Sequence, residues 1–187
     1  MKPIFIMSLA AIAPLGGCVS PQARRGRVAQ PEVGNRFQNF TFQDERGTTQ
    51  DLSQNLGDFT VLVFSECGRD LHGPASKALV DLVHGNQEPG YTETVGFDIH
   101  WSKNGCPQHS DCHLLEGGPH IFSICDARAQ VRDLYRVDSG DEIIIIGPDR
   151  HIVARAPLSE LQAVAASLSS MFHDHAERVL QERSPDQ

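Results

Sequence analysis

The segment Phe59-Thr60-Val61-Leu62-Val63-Phe64 decides the fold, because it consists almost wholly of β-branched and aromatic residues. An apolar run of this length without polar alternation is typical of a central strand that is covered on both faces. A chain of 187 residues, 40% of them hydrophobic, is long enough to supply that cover within one compact domain. The segment therefore predicts the central strand of an α/β domain.

Strand and helix patterns follow one another on both sides of this segment. Before it, short strands are predicted at Phe40–Phe42 and Thr49–Leu52. After it, Pro74 suits the first turn of a helix, where its missing N–H is not needed. The remaining predicted elements are strands at 94–101, 121–125, 143–146 and 151–155, a helix capped by Asp126, and a helix that Ser159 and Gln162 open with a capping box and that runs to about Arg183. This order predicts a central sheet with helices on both faces.

The composition limits the partners of the chain. Its formal net charge is −8, and it lacks the dense Lys/Arg surface that nucleic-acid binding requires. No nucleic-acid partner is therefore expected. The five cysteines and nine histidines are the residues whose side chains offer nucleophiles, bases or metal ligands.

The first residues have the pattern of an export signal. Residues 1–17 have a basic residue at position 2, continue with an apolar run from Ile4 to Leu15 and end in small residues. The apolar run is too short for a transmembrane helix. Leu15-Gly16-Gly17-Cys18 resembles the lipobox of bacterial lipoproteins, which implies cleavage before the cysteine and diacylglyceryl attachment to Cys18. The alternative is an ordinary secretory signal in which this cysteine has no such role.

The lipobox resemblance sets the domain boundaries and the location. Residues 18–35 hold prolines, glycines and three arginines, and are predicted to form a flexible tether. Residues 36–183 are then the folded domain, and 184–187 a short tail. Acyl chains on Cys18 would hold the domain at a membrane of the cell envelope, facing the periplasm, where disulfides persist. The residue after this cysteine is not the aspartate that retains some lipoproteins in the inner membrane, so the outer membrane is weakly favoured.

Three segments of the domain resemble the thioredoxin-like redoxins. Residues 40–47 with 51–53 are similar to the opening motif of that family, and residues 61–64 followed by Cys67 to the strand and loop that present its reactive cysteine. Residues 137–153 are similar to the last hairpin of the family. The resemblance implies a thioredoxin-like three-layer sandwich, in which a central mixed β-sheet is flanked by helices and preceded by an N-terminal β-hairpin. Members include peroxiredoxins, periplasmic thiol-disulfide oxidoreductases and Sco-type copper-delivery proteins.

The sequence departs from each of these subfamilies at the catalytic positions. In place of a C-x-x-C motif it has Cys67-Gly68-Arg69-Asp70, so an aspartate replaces the resolving cysteine. Leu71 and Ser139 stand where a Sco protein has its second cysteine and its histidine. Phe64 and Asp141 stand where a peroxiredoxin has its threonine and its arginine. Of the catalytic set, the resemblance therefore carries over only the first cysteine.

Cys67 is the candidate nucleophile. A thiolate there is favoured by Arg69 as a neighbouring cation and by His72 as a second cation or a base. Glu66 and Asp70 act in the opposite direction, because nearby carboxylates raise the pKa of a thiol. The alternative is a cysteine that is held in a structural disulfide or stays inert and half-buried.

A second cluster of reactive residues lies in the loop 106–113. Zinc and copper accept the thiolate and imidazole ligands that this loop offers, namely Cys106, His109, Cys112 and His113. In an exported protein the two cysteines are also expected to form a disulfide with each other, or with Cys67 as resolving cysteines, or to stay free thiols. Cys125, in an apolar stretch, is expected to be a buried small hydrophobe or a disulfide partner.

The sequence leaves three functions open. The first is a membrane-anchored thiol-disulfide oxidoreductase or thiol peroxidase, in which Cys67 attacks a disulfide or a peroxide and no cofactor is needed. The second is a Sco-like protein that binds copper or zinc with Cys67, His72 and the 106–113 loop. The third is an inactive redoxin scaffold that interacts with another protein.

Overall fold

The computed structural model describes residues 32–44, 47–66, 80–81, 83, 93–101, 120–138 and 141–183. The strands are β1 (Thr41–Gln43), β2 (Thr49–Asp51), β3 (Phe59–Glu66), β4 (Thr94–Trp101), β5 (Ile121–Asp126), β6 (Glu142–Ile146) and β7 (Ile152–Pro157). The helices are α1 (Gln130–Leu134) and α2 (Leu161–Arg183), and Leu52–Gln54 and Leu158–Glu160 form short 3₁₀ turns. Residues 80, 81 and 83 are also helical.

The central strand predicted from the sequence is β3, which lies in the middle of a five-stranded sheet with the order β5-β4-β3-β6-β7. β4 runs parallel to both β3 and β5, whereas β6 runs antiparallel to both β3 and β7. Leu62 of β3, for example, stands opposite Phe97 of β4 and Ile144 of β6. β1 and β2 form a separate antiparallel hairpin. The predicted α/β architecture, a mixed central sheet with an N-terminal hairpin, is confirmed.

Both faces of β3 are buried, because its side chains alternate between two apolar layers. On one side, which we call the hairpin face, Leu62 belongs to a cluster that includes Phe42 of the hairpin. On the other side, the helix face, Val63 belongs to a cluster that includes Leu168 and Phe172 of α2. The strand therefore has the two-sided cover that its apolar composition predicts.

Aromatic rings hold the hairpin on the sheet. Phe42 of β1 packs edge-on against Phe97 of β4 and Phe122 of β5, with ring centroids 5.4 and 5.5 Å apart. Phe97 and Phe122 are stacked on each other with their centroids 5.0 Å apart. Aromatic pairs of this kind contribute about 0.5–1.5 kcal/mol each beyond the area that they bury. The hairpin is thus a fixed part of the domain.

Tyr135, directly after α1, connects the hairpin side of the core to the segment before β1. Its buried ring lies 6.2 Å from the ring of Phe40 and 5.7 Å from that of Phe64, measured between centroids. Its hydroxyl donates a hydrogen bond of 2.6 Å to the Gln38 carbonyl. Burial raises the pKa of the Tyr135 phenol well above its usual value.

Residues 34–37 pair with the hairpin formed by β6 and β7. The Gly34 N–H donates to the Ile152 carbonyl over 2.8 Å, and the Ile152 N–H donates to the Asn35 carbonyl over 2.8 Å. The Phe37 N–H donates to the Arg150 carbonyl over 3.0 Å. Gly34 and Asn35 belong to the segment predicted as a tether, so the contacts of the domain extend into that segment.

The start of α2 differs from the sequence-based expectation. Ser159 is not the N-cap of the helix, because it lies inside the 3₁₀ turn Leu158–Glu160 and the helix begins at Leu161. The side chain of Leu158 is buried, and its N–H donates to the Asp141 carbonyl over 3.0 Å. These contacts hold the chain in the turn before the helix. The end of α2 at Arg183 agrees with the prediction.

Other element ends differ from the prediction by one or two residues, and two of them involve named contacts. β7 begins at Ile152 and not at His151, which makes an isolated bridge to Arg36. α1 begins only at Gln130, but the Asp126 carboxylate still accepts the N–H groups of Gln130 and Arg132 over 2.7 and 2.8 Å. Asp126 therefore satisfies the first donors of the helix, as its predicted capping role requires.

We expect Tyr135→Phe to lower the free energy of unfolding at pH 7 by about 1–2 kcal/mol, because the hydrogen bond from the hydroxyl to the Gln38 carbonyl is lost while the ring contacts remain. Urea unfolding followed by circular dichroism measures the change. Tyr135→Leu is the control for the ring and should lower the free energy further, since it also removes aromatic contacts. An unchanged value in Tyr135→Phe would show that the hydrogen bond contributes nothing to stability.

The same phenol makes stability depend on alkaline pH. Because the folded state raises the pKa of Tyr135, the unfolded chain loses this proton first, at about pH 10. The corresponding stability is fully present below that pH and is lost as the pH rises above it. The difference in unfolding free energy between wild type and Tyr135→Phe should therefore shrink in urea titrations above about pH 10. A difference that stays constant would contradict the direction of the pKa shift.

Candidate active site

The carboxyl ends of the parallel strands β3, β4 and β5 form one end of the sheet, and Cys67 is the residue that follows β3 in the sequence. In open α/β sheets this is the end at which ligands bind. The predicted site residues that lie outside the described residues are Cys18, Cys67, Arg69, His72, Cys106, His109, Cys112 and His113. The structure describes the part of the site that the three strands contribute.

Polar side chains replace the apolar layer of the helix face at this end of the sheet. Ser65 of β3 stands opposite His100 of β4, which stands opposite Cys125 of β5. Two residues earlier along the strands, Asp98 stands opposite Ser123. Alternate residues of a strand point to the same face, so these side chains share the helix face. We call the group of Ser65, Asp98, His100, Ser123 and Cys125 the polar edge.

Within the polar edge, Ser65, His100 and Asp98 form a continuous chain of contacts. The Ser65 Oγ lies 3.2 Å from His100 Nδ1, and His100 Nε2 lies 3.1 Å from Asp98 Oδ2. The exposed fractions of these residues are 1%, 3% and 0%. A carboxylate in so dry a place needs polar neighbours, and the imidazole of His100 is one of them. The contact between the two side chains is shielded from solvent.

Cys125 is disulfide-bonded, and its side chain is exposed on β5, at one end of the strand order. The disulfide is one of the two predicted alternatives. The other, a buried small hydrophobe, is wrong, because this outer strand leaves the side chain open to solvent. The second sulfur lies outside the described residues, where the remaining cysteines are Cys18, Cys67, Cys106 and Cys112.

Carboxylates lie where β3 leads into the segment of Cys67. Asp141, just before β6, accepts the Glu66 N–H through its Oδ1 over 3.2 Å. Glu66 itself is half-buried at the end of β3. Negative charge at this place disfavours a thiolate. Asp141 also stands where the resemblance to peroxiredoxins places an arginine, so the described charges differ from those of a peroxide site.

The single tryptophan of the chain lies at the same end of the sheet. Trp101 ends β4 directly after His100, and its ring is buried. The Arg132 guanidinium lies 4.5 Å from the centroid of that ring, a cation–π contact. Because no other tryptophan contributes, the fluorescence of Trp101 reports on this part of the molecule alone.

A groove of about 760 Å³ lies between the hairpin and β5. Its lining includes Thr41 and Gln43 of β1, and Cys125 and Asp126 of β5. Pockets that hold small ligands have volumes of roughly 300–1,000 Å³. The groove is thus large enough for a small ligand on the hairpin side of β5.

In the part of the chain that the structure describes, no group of three or more His, Cys, Asp or Glu side chains is placed to hold a metal ion. The predicted zinc or copper ligands, Cys67, His72 and the 106–113 loop, lie outside that part. Among the described helices, none combines the length and the apolar character that crossing a membrane requires.

The sequence pattern does not reveal the contact between Asp98 and His100. Polar and apolar residues alternate along Thr94–Trp101, which is typical of a strand with one solvated face. In the structure all eight residues are buried. Position in the strand is the signal that could have indicated the contact. Asp98 and His100 stand two residues apart near the carboxyl end of β4, and alternate residues of a strand share a face.

Comparisons with known proteins identify the fold. No family model matches the chain, and no curated protein matches it. A thioredoxin-like protein from Bacteroides caccae has a TM-score of 0.56 and 12% identity, covering 75% of this chain and 50% of that one, so the chain spans half the length of that relative. The thioredoxin domain of a thiol-disulfide oxidoreductase from Bacteroides vulgatus has a TM-score of 0.55 and 15% identity, covering 75% of this chain and 98% of that one. A thiol:disulfide interchange protein from Bacteroides sp. has a TM-score of 0.51 and 14% identity, covering 71% of this chain and 88% of that one. The chain has the thioredoxin-like fold.

Proposed function

We propose that the protein is a thiol-disulfide oxidoreductase of the cell envelope that uses Cys67 as its nucleophile and is anchored through Cys18. The observation that carries this proposal is the exposed disulfide of Cys125, at the end of the sheet where Cys67 follows β3. Thiol exchange needs an attacking thiolate and an accessible disulfide. A thioredoxin-like sheet with several cysteines at or after its strand ends supports that chemistry.

In the proposed mechanism the Cys67 thiolate attacks a disulfide of the substrate. One substrate sulfur leaves as a thiol, and the other becomes part of a mixed disulfide with Cys67. A second cysteine, Cys106 or Cys112, then attacks the Cys67 sulfur and releases the second substrate thiol, so that the substrate is reduced and the protein oxidised. Arg69 supplies a cation and His72 a base. An external dithiol restores the reduced protein, and no cofactor takes part.

Disulfides suit this site better than peroxides as substrates. Peroxide reduction requires a strongly stabilised thiolate, and Phe64 and Asp141 stand where a peroxiredoxin has its threonine and its arginine. The exposed position of Cys125 on the outer strand β5 also leaves its disulfide open to a thiol of another molecule. We therefore propose protein or peptide thiols and disulfides as the substrate class.

Cys67→Ser in the full chain should lower the rate of reduction of a fluorogenic disulfide peptide by roughly 100-fold or more, because a hydroxyl cannot form the mixed disulfide. Cys18→Ser is the matched control. It should leave that rate unchanged and move the protein from the membrane fraction to the soluble fraction. A Cys67→Ser variant as fast as wild type would overturn the proposed function, and hydrogen peroxide in place of the peptide tests the peroxidase alternative.

The two other functions predict different results in the same preparation. An inactive scaffold predicts that the Cys125 disulfide resists dithiothreitol under native conditions and that Cys67→Ser changes no rate. A Sco-like protein predicts that the reduced chain retains copper through native mass spectrometry. The oxidoreductase is supported if the disulfide is reduced by dithiothreitol and the peptide is turned over without added metal.

A further inference from the structure

A second groove, with a volume of about 390 Å³, lies on the helix face at the amino end of β3, opposite to the candidate active site. One wall is the turn between β6 and β7, which contributes Pro148 and Asp149, and the other is the stretch of α2 from Met171 to Glu182. The buried ring of Phe59 lines it and packs edge-on against His175, with the ring centroids 5.7 Å apart. We call this the α2 groove.

The exposed lining of the α2 groove has an excess of negative charge. It holds the carboxylates of Asp149, Asp174 and Glu182, together with the guanidinium of Arg178. The Arg178 Nε donates to the backbone carbonyl of Asp174 over 3.3 Å. Asp149 Oδ2 lies 3.3 Å from Nδ1 of His151. No salt bridge in the described part of the chain involves the carboxylate of Asp174 or of Glu182, so both remain available to a cation.

The described chain begins beside this groove. The Gly34 N–H donates to the Ile152 carbonyl over 2.8 Å, and the next residue of β7, Val153, lines the groove. The Asn35 N–H donates to the Glu32 carbonyl over 3.0 Å, so the chain turns within its first described residues. The segment that precedes Glu32 is therefore joined to the domain next to the α2 groove.

That segment has the charge opposite to that of the groove. Residues 18–31 include Arg24, Arg25 and Arg27 and contain no aspartate or glutamate. The apolar Val28 follows the last of these arginines. A guanidinium suits this partner, because its paired N–H donors match the two oxygens of a carboxylate.

We propose that residues 24–31, which we call the arginine segment, bind in the α2 groove of their own chain, with arginines on the carboxylates of α2 and Val28 against its apolar lining. The inference goes beyond the proposed function and does not depend on thiol chemistry. Arg27 stands five residues before Glu32, which gives it a reach of about 17 Å in an extended chain. The stretch of α2 from Met171 to Glu182 is also about 17 Å long, so the segment can follow the groove.

The covalent connection makes weak contacts sufficient. An exposed ion pair contributes little by itself, and salt weakens it further. A segment held on a short connection, however, is present at the groove at an effective concentration of roughly millimolar. Several ion pairs together with an apolar contact can therefore keep it bound.

Docking would orient the domain at the membrane. Cys18, the proposed lipid attachment point, stands six residues before Arg24. A docked arginine segment would keep this anchor at the amino end of β3 and hold the carboxyl ends of β3, β4 and β5 on the side away from the lipid. This orientation, unlike the docking itself, rests on the proposed anchor.

The first test is chemical crosslinking of the full chain with the substitution Arg27→Lys. The variant keeps the positive charge and adds an amine, which a carbodiimide joins only to a carboxylate in direct contact. Mass spectrometry of the digested protein should find this amine joined to Asp174 or Glu182. Crosslinks scattered over exposed carboxylates elsewhere on the domain would overturn the inference.

A mixture of unlabelled and nitrogen-15-labelled chains identifies the occupant of the groove. Crosslinks within chains of one label support the docking of each segment on its own domain. Crosslinks that join a labelled to an unlabelled peptide would show that a second copy supplies the segment, and would overturn the inference.

The second test is the rate of trypsin cleavage after Arg24, Arg25 and Arg27 in the full chain at low salt, because a docked segment is protected. Asp174→Asn combined with Glu182→Gln should raise this rate about threefold or more over wild type. The difference should vanish in about 1 M NaCl, where the Debye length is about 3 Å. Equal rates at low salt would overturn the inference.

Glu177→Gln is the matched control, since Glu177 is an exposed carboxylate of α2 that pairs with His173 and does not line the groove. It should leave the crosslinks and the cleavage rate unchanged. Neither readout uses a thiol, so Cys67→Ser should also give wild-type results. Failure of the docking is thus distinguishable from failure of the proposed function.

Discussion

The rest of the structure depends on the backbone hydrogen bonds of β3, because this strand is buried between two apolar layers and cannot bond to water. An unpaired N–H or C=O in such a place costs about 1–3 kcal/mol, so a strand is required on each side. β4 pairs with β3 along its full length, but the pairing with β6 ends at Phe64. Beyond that point the Asp141 side chain accepts the N–H of Glu66. The candidate site therefore begins where β3 is no longer paired with β6 but is still paired with β4.

The sequence predicts the fold well because each strand has its own local pattern of apolar residues. The apolar runs of β3 and β6 and the alternation in β4 locate the strands, and the ends of β4 are predicted without error. The ends that differ are set by other parts of the chain. β3 continues two residues past Phe64 because β4 offers partners there, and Ser159 stays in a turn because Leu158 is buried and bonded to Asp141.

The site is predicted less well, since its contacts join residues from separate strands. Nothing local distinguishes a buried Asp98 from a solvated one, and the contact of His100 with Ser65 exists only through the register of β3 and β4. The disulfide of Cys125 is hard to predict for the same reason. The four cysteines other than Cys18 allow three complete pairings, and their spacing does not rank them. The prediction of Cys67 uses its position after a strand, and a strand end is a local feature.

The contacts of Gly34 and Asn35 have a mechanical consequence. Both residues bond to Ile152 on β7, which is the outer strand opposite β5, about 19 Å away across four strand spacings. A pull on the N-terminal segment is therefore borne first by a few backbone hydrogen bonds on the β7 side. Tension from an attachment point would shear that border of the domain, on the side of the sheet away from β5.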